Sequence, residues 1–239
     1  MIADEGTGAL FAAIDATWPA AEIRRLAPWT LRRGDGGGSR TSAATLDGPG
    51  GDPAAAEAVM RGWGQPPLVM IRPGEEALDE ALAQRGYAVR DPVVLLAGDA
   101  AAMAPPEPDP QVIFGPAPLA IMTDIWRQGG IGPGRLAVMA RPAGPRAFLF
   151  GRAGDRPAGA AFVAAAGDVA MIHALEVAPS ARRKGVGAAM TRAAAGWALG
   201  AGATRLALAV TCANAPARAL YAGLGMAEAA RYHYRALLG

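Results

Sequence analysis

The chain has 239 residues, 52% of them apolar, with a net charge of +2, which suits a soluble globular protein of one large or two small domains. One cysteine, Cys212, allows no internal disulfide, and two histidines, His173 and His233, do not make a His/Cys zinc cluster, so no metal is expected. The first residues, Met-Ile-Ala-Asp-Glu, are acidic where a signal peptide needs positive charge, and no apolar run reaches the roughly 18 residues of a membrane helix; a cytoplasmic protein without membrane contact is expected.

Read in chain order, Leu10, Phe11, Ile14 and Trp18 repeat at helical spacing, which predicts a helix over Gly8–Trp18. Trp29–Arg33 alternates as a short strand, and Gly34–Gly38 is too glycine-rich for anything but a loop. A helix over Pro53–Gly62 and a strand over Pro67–Arg72 follow. Glu75–Gly86 reads as a helix stopped by its glycine, and Tyr87–Leu96 as a strand. Four prolines (Pro105, Pro106, Pro108, Pro110) mark residues 99–111 as an exposed linker between a first unit, 1–98, and a second, 112–239. In the second unit, helices are expected over Pro118–Gln128 and Pro133–Met139. Three strands follow, over Arg146–Arg152, Ala158–Ala166 and Val169–Val177. A helix over Gly187–Gly200, a strand over Arg205–Thr211, a helix over Asn214–Leu224 and a strand over Glu228–Leu237 complete a mixed α/β fold.

Of the apolar residues, 59 are alanine, so the core rests on few large side chains. The charge is uneven: residues 1–110 carry −7 and residues 111–239 carry +9. A basic second unit suits an anionic ligand. It lacks an arginine stripe interleaved with aromatics, so a nucleic-acid partner is not expected.

One segment of that unit carries chemistry. A strand ends at Val177, a loop brings Arg182, Arg183, Lys184, Gly185 and Gly187, and a helix begins at once. Glycines admit a ligand to bare backbone, and the first N–H groups of a helix have no partner of their own and lie at its positive end. The construction fits a phosphate site; the plainer alternative is a basic surface turn. It is neither a P-loop, since Lys184 precedes its glycine, nor a dinucleotide fingerprint, since Met190 stands where a third glycine belongs.

Val177-x-Pro179-x-x-Arg182-x-x-Gly185-x-Gly187 resembles the acetyl-CoA loop of the GNAT superfamily of N-acetyltransferases. Asn214-x-x-Ala217-x-x-Leu220-Tyr221-x-x-x-Gly225-Met226 resembles that family's second motif, with methionine in place of phenylalanine. The resemblance spans roughly 112–239. It implies a mostly antiparallel sheet with splayed strands between helices, and acetyl-CoA as co-substrate. It places the CoA pyrophosphate on the amides of Arg183, Lys184, Gly185, Val186, Gly187 and Ala188, beside the Arg182, Arg183 and Lys184 side chains. Pantetheine would pair with the backbone around Val177 and meet Asn214 and Ala217, in a slot opened by the splaying of Val169–Val177 from Arg205–Thr211. Tyr221 would protonate the leaving thiolate; a packed core tyrosine is the alternative. Asn214 also suits a helix N-cap.

The base that frees the amine is open. Ala207 and Ala209 stand where some family members place a glutamate. Glu176 is the chosen candidate; His173, His233 and a water chain remain alternatives. Simple alternation puts His173 on one face with Leu175 and Val177, and Glu176 on the other.

Glu75–Tyr87 echoes Ala219–Met226, a helix running through Gly-apolar into a strand. Trp18-Pro19, Trp29–Arg32 and Ser39–Ser42 resemble the N-terminal half of tandem acetyltransferases. That unit is expected to be a degenerate sister domain without cofactor that walls the acceptor site; an unrelated α/β cap is the alternative. The expected activity is acetyl transfer from acetyl-CoA to a primary amine of a small molecule or peptide, by direct attack in a ternary complex. A non-catalytic acyl-CoA-binding regulatory protein is the alternative. A monomer or homodimer is expected.

Overall fold

A computed structural model describes residues 5–237. The elements, in order, are α1 (Glu5–Thr17), β1 (Glu22–Leu26), β2 (Trp29–Arg33), α2 (Ser39–Ser42), β3 (Thr45–Leu46), α3 (Pro53–Gly62), β4 (Leu68–Ile71), α4 (Glu76–Gln84), β5 (Ala88–Asp99) and α5 (Ala100–Met103), then β6 (Val112–Gly115), α6 (Ala120–Gln128), α7 (Pro133–Met139), β7 (Arg146–Ala153), β8 (Arg156–Ala166), β9 (Val169–Val177), α8 (Val186–Gly200), β10 (Arg205–Thr211), α9 (Ala215–Gly223) and β11 (Ala227–Ala236). Pattern and punctuation place most of these within a residue or two. The short strands β1, β3 and β6 and the one-turn α2 are too brief to show a period.

The sheet order is β4-β11-β5-β10-β9-β8-β7-β6, with a separate three-stranded sheet β1-β2-β3. The single parallel pair in the large sheet is β9 with β10. The fold is a mixed α/β structure, its large mostly antiparallel sheet flanked by helices, with the smaller sheet from the N-terminal part. On one face α8, α9 and α5 cover a core in which alanine dominates β8 and α8 (Ala158, Ala161, Ala165, Ala193, Ala194, Ala198). The small-residue bias therefore lets helix and sheet approach closely. A Cβ on Gly151 or Gly159 would lie 2.6 or 2.7 Å from the Met190 sulfur. On the other face α1, α6 and α7 bury Trp18, Trp126, Phe148 and Phe162.

The large sheet crosses the linker. β5, from the first unit, lies between β10 and β11 of the second, and β4 extends the sheet beyond β11. The successions β4–α4–β5 and β10–α9–β11 are thus arranged as exchanged counterparts, each giving its last strand to the other's neighbourhood. Their helices stop alike. Gly86 (φ +84°) and Gly225 (φ +88°) take the left-handed conformation. The Tyr87 N–H reaches the Leu82 carbonyl at 3.0 Å, and the Met226 N–H reaches that of Tyr221 at 3.1 Å. These are the bonds of a Schellman stop, and they give the faint sequence echo a common geometry.

Two expectations need correction. The linker is not wholly exposed: its first residues form α5, which Asp99 caps by accepting from the Ala102 N–H at 2.9 Å, and Ala100 and Met103 are buried. The prolines act only after that turn. Second, alternation along β9 fails at Ala174, which has φ +49°. Phe162 pairs with His173 and Ala160 with Glu176, so three steps on β9 oppose two on β8. This is a β-bulge. It puts His173 and Glu176 on the same face, while Leu175 and Val177 pack on the other, against α8 and α9.

Candidate active site

β9 and β10 pair only at their starts, through Val169, Ala170 and Met171 against Arg205, Leu206 and Ala207. Beyond Met171 the strands part, and β10 stays paired with β5 along its length. The wedge opens toward the carboxyl ends of both strands, and the glycine loop and α8 lie at the end of β9.

In that loop Arg183 (φ +63°) and Gly185 (φ +81°) are both left-handed around Lys184, which turns successive N–H groups toward a common side. The first backbone bond of α8 runs from the Ala189 N–H to the Gly185 carbonyl at 3.0 Å. Among the described residues no carbonyl accepts from the amides of Arg183 to Ala188. Those amides border a cleft of about 590 Å³ lined by Val177, Arg182, Arg183, Gly185, Gly187 and Leu220, with Val186, Ala188 and Ala217 also on its wall. Most of the residues expected to hold the cofactor are therefore brought together. Ala181, Pro216 and Ala219 belong to the wall as well; their small or apolar side chains gave no signal in the sequence. Lys184 is exposed on the loop and does not line the cleft. Asn214 caps α9, its Oδ1 accepting from the Ala217 N–H at 3.2 Å. Arg182 folds back, donating to the Val177 carbonyl at 3.1 Å and to Glu176 Oε1 at 3.0 Å.

Gly185 offers a test of the loop. Nothing lies within 4 Å of a Cβ placed there, but the backbone is left-handed. Asparagine tolerates that conformation and aspartate is its charged isostere. Gly185→Asn is expected to weaken CoA binding within about tenfold, and Gly185→Asp by a further tenfold or more, since a carboxylate repels a pyrophosphate. Titration calorimetry on both folded variants reads the difference; equal affinities would place the phosphates elsewhere.

Tyr221 is buried on α9 in the cluster that holds Leu208 and Val210, and burial alone pushes its phenol up to about 12. Such a group keeps its proton at neutral pH.

The hydrogen bonds of both histidines are already committed. His173 is buried between Trp18 and Phe162. Arg40 Nη1 donates to its Nδ1 at 3.0 Å, so the proton lies on Nε2 and is given to Thr17 Oγ1 at 2.9 Å, whose own hydrogen goes to the Ala13 carbonyl at 2.6 Å. Burial first, and the Arg40 charge second, hold its pKa well below the usual value. Its only lone pair is taken. His233 is fixed to Asp79 on α4, Nε2 to Oδ1 at 2.7 Å, and lines a different hollow from the wedge, one it shares with Cys212. Glu176 lies against the end of α6, where a Cβ on Gly129 would meet its carboxyl carbon at 2.6 Å.

A second cavity, of about 330 Å³, lies at the wedge on the other face of the sheet. Ala174, Ala209 and Thr211 from the parting strands form its floor, with Trp18, Arg40 and Asp91 from the first unit and Arg135, Tyr232 and Tyr234 from the second around it. The sequence reading missed Arg40, Asp91 and Arg135.

The corresponding place in the first unit is closed. The chain just before β3 bridges β4 in parallel through Ala44 and Val69, and the turn from β3 to α3 contains Gly48, Gly50 and Gly51. No cation stands in it. Asp52 instead puts its carboxylate on the Ala54 N–H at 2.9 Å, at the helix start, and its carbonyl accepts from Trp29 Nε1 at 3.1 Å. A phosphate would meet a carboxylate there.

Residues 119–226 match the model of the acetyltransferase (GNAT) family, which supports acyl transfer in general. No curated protein sequence matches the chain. Among solved structures, a GCN5-related N-acetyltransferase from Kribbella flavida superposes with a TM-score of 0.72 at 21% identity, over 100% of this chain and 96% of that one. A conserved protein of unknown function from Staphylococcus epidermidis gives 0.68 at 10% identity, over 93% and 95%. A tandem GNAT protein from the clavulanic acid biosynthesis pathway gives 0.60 at 14%, over 87% and 77%. At these identities the likeness is one of fold. No described helix is long and apolar enough to cross a membrane, and no group of three or more metal-binding side chains occurs among the described residues.

Proposed function

We propose that the protein is an acetyl-CoA-dependent N-acetyltransferase acting on a primary amine by direct attack in a ternary complex. The observation that supports it best is a juxtaposition. An amide-lined basic cleft on one face of the sheet and a polar cavity on the other lie on either side of the wedge where β9 and β10 part.

The residues fit the co-substrate: the unpaired amides of Arg183 to Ala188 and the guanidiniums of Arg182 and Arg183 hold pyrophosphate, and the free edge of β9 near Val177 aligns the pantetheine arm. Acetyl-CoA supplies an activated thioester. Asn214, besides capping α9, keeps that helix end against the wedge. Tyr221 donates a hydrogen bond to the sulfur as it leaves. Glu176, which the bulge turns to the acceptor face, takes the ammonium proton, so that the neutral amine attacks. The first unit binds no nucleotide and walls the acceptor cavity through Trp18, Arg40 and Asp91.

Calorimetry with acetyl-CoA is expected to give one site per chain, and a thiol-release assay against an amine panel to give turnover. Tight binding without turnover on any amine would favour a non-catalytic acyl-CoA sensor. One observation supports that second reading: β10 offers the wedge only Ala209 and Thr211, neither of them a base, while Glu176 is paired with Arg182.

A further inference from the structure

The acceptor cavity has a sign. Arg40, half-buried on α2, spends one nitrogen on neutral His173 and lies over the Trp18 ring at 5.2 Å. Arg135, on α7, lies across the loop that carries Arg40: a Cβ on Gly38 would be 3.5 Å from its Nε and 3.6 Å from its Nη2. The two helices are brought together by glycines, since a Cβ on Gly134 would meet the Gly36 carbonyl oxygen at 2.5 Å. Among the described residues no carboxylate lies within ion-pair distance of either guanidinium. Asp91, the one acid on the wall, is paired with Arg90 at 3.4 Å. A partly buried guanidinium without a counter-charge is costly, and a bound anion offsets that cost. The CoA phosphates do not serve, because their amides line the cleft on the opposite face.

We infer that the acceptor is a small primary amine carrying its own carboxylate or phosphate, held by Arg40 and Arg135 with its amine toward Ala174 and Ala209. This rests on the acyl-transfer reading for its chemistry, but the anion site stands on geometry of its own. A cavity of about 330 Å³ is at the small end for ligand sites, which suits an amino-acid-sized molecule. A polyamine would bring like charge to two arginines.

The test compares α- and β-amino acids, phosphoethanolamine, and the uncharged or cationic counterparts ethanolamine, propylamine and spermidine, by thiol release and by calorimetry on the CoA-loaded protein. The anionic amines are expected to exceed their counterparts in kcat/KM by about tenfold to a hundredfold. The carboxylate and phosphate arms decide which anion is bound. Arg135→Gln, at an exposed helical position, is expected to collapse that ratio, and Arg135→Lys to restore part of it. Equal or better use of ethanolamine or spermidine overturns the inference. Where no amine turns over, binding of an anionic amine that is lost in Arg135→Gln upholds the anion site and sinks the acyl-transfer reading. Absence of binding by every anionic amine sinks the anion site.

Discussion

Replacing Gly187 with valine is expected to abolish CoA binding without unfolding the protein. Gly187 is the second residue of α8, in ordinary helical conformation, so a side chain there brings no backbone strain; an exposed helix gains up to about 1 kcal/mol from such a change. The space around it decides the effect. A Cβ would stand 3.2 Å from Leu220 Cδ2, 3.7 Å from Val177 Cγ2 and 3.9 Å from Leu175 Cδ2. Val177 and Leu220 are facing walls of the cleft, from β9 and α9. Alanine therefore bridges the walls, and the two further carbons of valine grow into the ligand's path and cover the amides behind. Affinity is expected to fall about tenfold for Gly187→Ala and at least a hundredfold for Gly187→Val, roughly 1.4 and 2.7 kcal/mol. The melting temperature should hold or rise. Calorimetry and thermal unfolding on the same samples read the two quantities separately. Undiminished CoA affinity in folded Gly187→Val would remove the cleft as the cofactor site.

Gly187 already stands out in the sequence because its setting is local. A strand ending in an Arg-rich glycine loop and opening a helix is a local device: its turn, its unpaired amides and its charge are all set by neighbours in the chain. Asn214 is similar, since an N-cap depends on the three residues that follow it. The bulge at Ala174 is different. Nothing about an alanine announces φ +49°, a conformation that disfavours it by about 1–2 kcal/mol and that the surrounding β8 pairing imposes. Simple alternation, blind to the bulge, puts His173 and Glu176 on opposite faces, whereas the structure puts both on one face and occupies the histidine's lone pair.

The acceptor pocket was illegible for a related reason. Gly34–Gly38 reads as a loop, and so it is, but its role is to let Gly36 lie against Gly134 and carry Arg40 beside Arg135. Close contact between distant glycines leaves no trace in periodicity. The charge of the first unit is no guide to its wall either: the unit is acidic as a whole, yet several of its acids are paired, as in Arg33 with Glu22 and Asp35, and the residues it sends to the wedge include Arg40. Likewise the prolines after residue 104 interrupt regular structure, but hydrogen-bonded order is decided by strand partners. β5 finds its partners in β10 and β11, on the far side of that connector.

Tyr221→Phe is expected to lower kcat about a hundredfold while changing CoA affinity little. The phenol is raised to about 12 by burial alone, with no charged neighbour contributing, so the hydroxyl is not part of an internal network and its loss should leave stability nearly intact. An ordinary thiol titrates near 8.5, so a phenol at about 12 holds its proton more tightly than the thiolate pulls on it. Its contribution is then donation of a hydrogen bond to sulfur as negative charge develops, strengthened by the dry surroundings that also raise the thiolate. The pH dependence follows with a definite sign. Because the folded-state pKa lies above the ordinary 10, the donor form is complete through neutral pH and is lost only as pH rises through about 12. The kcat profile should therefore show no alkaline decline from this group below about pH 11, and its acid limb, set by deprotonation of the amine or its base, should keep its position in Tyr221→Phe while the plateau drops. An alkaline limb near 10 in the parent that vanishes in the variant would mean that Tyr221 titrates as an exposed phenol and that the wedge is wetter than its packing implies. An unchanged plateau would remove Tyr221 from the reaction and leave it as one more side chain of the core.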